Sequence, residues 1–126
     1  MITEDYVSFE TAKLLKEKGF DEECSCFYNN IDYGTPGLEV DGQLYYKNSA
    51  LDDEEYSAPT LQTAMKWLRE IYHIHITIYP YGEYSCDNYQ FDVYKDNNLV
   101  VSKDDGYITY EQACEVAIKY CLENLI

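Results

Sequence analysis

A chain of 126 residues with a 46% apolar fraction can close an ordinary core, so neither a structural metal nor a disulfide framework is required and disorder is a poor reading. Its net charge of −15, from 24 acidic and 9 basic residues, argues against direct binding to nucleic acid or an anionic membrane surface, because both depend on Lys and Arg. Five cysteines, an odd count, follow an acidic opening (residues 1–5) with no apolar leader after it, which predicts free thiols and a cytoplasmic location.

In chain order, Ser8 is placed to cap a first helix that carries Ala12, Leu14 and Leu15 and stops at Gly19. Residues 24–28 form a strand candidate. Residues 38–40 and 44–46 flank Asp41-Gly42, a strong hairpin signal. Residues 48–58 hold Asp52-Asp53-Glu54-Glu55 and no periodicity, so they read as an exposed acidic loop. Thr60 then caps a helix ending near Tyr72, with Leu61, Ala64, Met65, Leu68, Ile71 and Tyr72 on one arc and Trp67 at its margin, half exposed.

From His73 the period becomes two. Ile74, Ile76 and Ile78 point one way, and His73, His75, Thr77 and Tyr79 the other. Pro80-Tyr81-Gly82 is predicted to turn the chain into a strand through Tyr89, Phe91 and Val93. Asn97-Asn98 should turn it again into residues 99–101, and Asp104-Asp105-Gly106 should close that strand. Thr109 caps the last helix, whose wide apolar arc holds Ala113, Cys114, Val116, Ala117, Ile118, Cys121 and Leu125. The expectation is one α+β domain over residues 1–126. Its order is α-β-β-α-β-β-β-α, with an antiparallel sheet of four to five strands and three helices mainly on one face.

The three helix starts share a Ser/Thr cap with an acid or amide close behind it. General helix grammar accounts for that without an internal duplication.

Residues 56–70 (Tyr-Ser-Ala-Pro-Thr-Leu-Gln-Thr-Ala-Met-Lys-Trp-Leu-Arg-Glu), with residues 8–20 and 110–126, resemble small acidic proteins that recur in phages and mobile elements of Bacteroidetes. The resemblance covers most of the chain and rests on structural residues. It implies an accessory protein expressed inside a bacterium, and it brings no reaction or ligand with it.

Chemistry is sparsely marked. Cys24-x-Cys26 and His73-x-His75 each put two ligand types on one side of a strand, but the pair spacing is shorter than that of zinc fingers and ribbons. Cys86 beside Asp87 has no signature of a catalytic thiol. No phosphate loop, dinucleotide fingerprint or calcium loop is present in the sequence. No catalytic residue, cofactor or metal ligand is therefore assigned.

Tyrosine is the unusual feature, at 15 residues against four Phe and one Trp. A phenol joins apolar area to a polar tip and collects at interfaces, although it also suits strands. The candidate partner-binding residues are Trp67, Tyr79, Tyr81, Glu83, Tyr84 and Asp87. The function expected is binding of a basic protein, with a mimic of nucleic acid or an anti-defence factor as a special form of it and self-association left open. The alternative is a small-ligand binder or enzyme whose pocket leaves no mark on the sequence.

Overall fold

A computed structural model describes residues 2–29, 37–40, 45–82 and 88–126. These gather into two compact units, Met1–Thr60 and Leu61–Ile126, each built around its own antiparallel sheet. The α+β class and the alternation of helices with strands are as expected from the sequence. The described strands, however, make two three-stranded sheets rather than one larger sheet.

In the first unit, helix α1 (Phe9–Glu17) starts because extended Ser8 turns its hydroxyl back to accept from the Thr11 N–H at 3.3 Å. It stops because Gly19 takes φ +92°, which lets the Phe20 N–H reach Leu15 O and the Gly19 N–H reach Lys16 O. That is a Schellman ending, closed by the buried side chains of Leu15 and Phe20. Strand β1 (Cys26–Asn29) lies between β2 (Gly37–Val40) and β3 (Glu55–Ser57). Cys26 is opposite Val40, and Tyr28 is opposite both Leu38 and Tyr56.

One expectation changes here, and another falls mostly outside the described residues. The described partner of β2 is β1; Asp41-Gly42 and Leu44 lie outside the described residues, while Tyr46 bridges to Cys24. The stretch expected as an exposed loop contains a 3-10 turn (Asn48–Ala50) and strand β3. The buried amide of Asn48 explains this. Its Nδ2 donates to Phe20 O at 2.7 Å, and its Oδ1 accepts from the Ser57 N–H at 2.8 Å. A single side chain thus ties the 3-10 turn to Phe20 and to the end of β3, a tertiary bridge that no local periodicity signals.

In the second unit, helix α2 (Leu61–Tyr72) buries Leu61, Ala64, Met65, Trp67 and Leu68. The exposures of two residues differ from expectation. Trp67 is only 7% exposed, with its ring edge-on to Tyr72 at 5.2 Å, whereas Ile71 in the last turn is 55% exposed. The Tyr72 ring against the indole contributes to that cover, which a wheel angle does not show. His73, at φ 55°, leaves the helix and begins the extended run.

Strand β4 (Ile74–Tyr81) pairs with β5 (Asn88–Lys95), which pairs with β6 (Asn98–Tyr107). Pro80 and Tyr81 belong to β4 rather than to a turn. Proline is tolerated there because β4 is an edge strand among the described strands. The β5–β6 turn is Asp96-Asn97, one residue earlier than expected. Both residues have positive φ (50° and 68°), as a two-residue hairpin of this hand requires. Strand β6 also runs past Asp104-Asp105-Gly106. The register shifts there and again at Val100, so the acidic triplet lies in a bulged part of the strand instead of ending it.

Helix α3 (Tyr110–Asn124) buries Ala113, Cys114, Ala117, Ile118, Cys121 and Leu122 on a continuous stripe. Its start is capped by Thr109, which accepts from the Gln112 N–H, while Gln112 Oε1 accepts from the Ile108 N–H. Helices α2 and α3 both pack on this unit's sheet, on the face of Ile74, Phe91 and Val93. Among the described residues no helix is long and apolar enough to cross a membrane.

Candidate interaction surface

Period-two alternation sends alternate side chains of the second sheet away from its helices. The pairing then fixes which of them are neighbours. Thr77 is opposite Asp92, which is opposite Ser102. His75 is opposite Tyr94, which is opposite Leu99. Tyr79 is opposite Gln90. His75, Thr77 and Ser102 are exposed, and Tyr79, Asp92 and Tyr94 are half-buried.

Asp92 organises the middle of this face. Its Oδ1 accepts from the Tyr79 hydroxyl at 3.2 Å and from the Ser102 hydroxyl at 2.5 Å. One carboxylate therefore ties all three strands together through side chains. Partial burial pushes the Tyr79 phenol above its ordinary value, and donation to Asp92 together with the charges of Asp92 and Asp104 adds to the rise. The phenol stays protonated and donating at neutral pH.

Of the residues expected from the sequence to meet a partner, Tyr79 lies on this face and Tyr81 is 53% exposed at the end of β4. Trp67 is buried and unavailable as an exposed anchor. Glu83, Tyr84 and Asp87 lie outside the described residues, as does Cys86. Sequence reading missed Asp92, Tyr94 and Ser102. The alternation of Phe91 and Val93 put Asp92 and Tyr94 on the opposite face, but the register that sets Ser102 beside Asp92 depends on two bulges no local pattern announces.

In the first unit the acidic stretch is a built turn. Lys16 Nζ donates to Asp52 O at 2.9 Å and Glu55 O at 2.8 Å, and lies 5.3 Å from the centroid of the Tyr56 ring. Glu55 Oε1 accepts from the Asp52 N–H, and the Glu55 N–H donates to Asp52 O. Asp52, Asp53 and Glu54 are left exposed around a shallow depression. Asp21 is likewise held: it accepts from the Ser49 N–H at 2.8 Å, which lowers its carboxyl below the usual range.

Three of the described cysteines offer little reactivity. Burial pushes the Cys24 thiol up to about 12, reinforced by Cys26 and Glu22, and pushes Cys121 to about 12 and Cys114 to about 11. The thiolate is the nucleophile and the metal ligand, and these groups hold their protons. His73 and His75 are exposed, while Cys24 and Cys26 are buried. Among the described residues no group of three or more His, Cys, Asp or Glu is arranged to hold a metal ion.

No protein-family model, no curated protein and no solved structure matches this chain.

Proposed function

We propose that this protein acts by binding a basic protein partner rather than by turning over a substrate. The observation that carries the reading is the outer face of β4–β5–β6, where Tyr79 and Tyr94 stand with Asp92 beside the exposed Tyr81. Tyrosines supply contact area at a small entropic cost, and the excess negative charge steers a positive surface onto them.

The charge is unevenly shared. Residues 1–60 carry fourteen acidic against four basic side chains, and residues 61–126 carry ten against five. The first unit therefore supplies most of the field and the second the tyrosine-bearing face. We place the protein in the bacterial cytoplasm, as a mobile-element accessory protein, within the same proposal.

Affinity purification from the native host, at low and high salt, tests this. A partner retained at low salt, shed at high salt and lost on Tyr79→Ala or Tyr81→Ala is the expected result. A partner indifferent to salt and to both tyrosines would refute the reading, and so would the absence of any partner.

A further inference from the structure

Asp92 accepts hydrogen bonds through one of its two oxygens. Both hydroxyl donors converge on Oδ1, and no hydrogen bond reaches Oδ2 among the described residues. No described cation pairs with this carboxylate, although it stands at the middle strand of a sheet face. The charged or titratable side chains near it on that face are Tyr79, Tyr94, His75 and, from the bulge of β6, Asp104. The local balance is negative, and two aromatic rings flank the carboxylate.

We infer that the outer face of β4–β5–β6 is an arginine-reading surface, on which a partner's guanidinium docks against Asp92 beside the rings of Tyr79 and Tyr94. The inference rests on the reading of the protein as a binder of a basic partner and specifies which basic side chain is recognised. Charge complementarity alone would accept lysine equally well. Three features favour arginine. The guanidinium is flat, so it stacks on a phenol ring while donating sideways, which a compact ammonium cannot do. It is more weakly hydrated, so it loses less on reaching a half-buried carboxylate. Asp92 is also held still by β4 and β6, so its orientation is settled before the partner arrives.

The test uses the full chain and two capped peptides, tetra-arginine and tetra-lysine, titrated at equal ionic strength and followed by amide chemical shifts. Tetra-arginine is expected to bind about fivefold or more tighter than tetra-lysine, with the largest shifts at residues 77–79, 92–94 and 102. Asp92→Asn keeps an acceptor for both hydroxyls, so the fold survives. It should weaken tetra-arginine about tenfold, while Asp53→Asn, which removes one charge from the first unit, should change it less than about twofold. Tyr94→Leu should reduce the preference for arginine over lysine while leaving tetra-lysine nearly unchanged.

Equal affinity for the two peptides would overturn the proposal, as would equal effects of Asp92→Asn and Asp53→Asn. The wider reading fails separately. A native partner that is salt-sensitive and Tyr81-dependent yet indifferent to Asp92→Asn would sink the arginine surface alone. Arginine preference at Asp92 without any basic partner in the host would sink only the wider reading.

Discussion

At the scale of single side chains, Asn48 and Ser57 are bonded neighbours in the first unit and predict opposite outcomes on truncation. The Asn48 amide satisfies a carbonyl and an N–H in the interior, so Asn48→Ala leaves both stranded and should destabilise by about 2–4 kcal/mol. Ser57 has a fully buried hydroxyl with no hydrogen-bond partner among the described residues. Ser57→Ala removes that polar atom at little cost in volume, so it should be neutral or stabilise by up to about 1 kcal/mol. Urea unfolding of the two variants checks both, and a Ser57→Ala loss as large as that of Asn48→Ala would mean the hydroxyl has a partner after all.

The thiols make a second residue-level prediction. Folding raises Cys24, Cys114 and Cys121 from an ordinary value of 9.0 to about 12, 11 and 12. Between those values the folded chain binds more protons than the unfolded one. Their contribution is therefore fully present below pH 9 and is lost as pH rises through the folded values, by about 1.4 kcal/mol per pH unit for each thiol still titrating. Stability should be level with respect to these groups from pH 7 to 9 and fall steeply above. The Cys114→Ala and Cys121→Ala variants should each flatten that alkaline limb in denaturant titrations, and an unchanged slope would discredit the burial argument.

At the scale of elements, α1 was the most legible because its start and stop are local chemistry. Ser8 and Gly19 announce themselves in the chain and perform those roles in the fold. Gly19 has open space around an added Cβ but sits at φ +92°, so Gly19→Ala should destabilise the first unit by about 1–2 kcal/mol through backbone strain alone. Gly19→Asn should recover part of that loss, because Asn visits this region more readily; equal losses for both would argue against the strain.

The C-terminal end of α3 was less legible. Lys95 Nζ, from the middle strand of the second sheet, donates to Leu125 O at 2.7 Å and closes that end. Lys95→Met should cost about 1 kcal/mol in unfolding experiments, more at low salt than at high. A cap delivered from 30 residues before the carbonyl it serves cannot be found by reading the helix.

At the scale of the whole molecule, fifteen excess negative charges act on the folded state as self-repulsion, concentrated in residues 1–60. Raising sodium chloride from about 10 mM to about 300 mM shortens the Debye length to well under the width of a small domain, so the melting temperature should rise by a few degrees. Differential scanning calorimetry decides this, and a melting temperature that falls with salt would show that favourable ion pairs dominate over repulsion.

The amino-acid sequence alone determined the α+β class, the two periods of the chain, the caps of α1 and α3, the acidic excess and the concentration of tyrosine. Each of these is written within a few residues or in the composition, where local sterics and simple counting decide. Only the tertiary structure decided that the strands divide between two sheets, that Trp67 is covered while Ile71 is not, and that Asp92 meets Tyr79 and Ser102. Those outcomes depend on register and on a buried amide bridging distant segments. A pairing shift of one residue exchanges the two faces of a strand, and nothing local in residues 98–107 states where the bulges that set the register will fall.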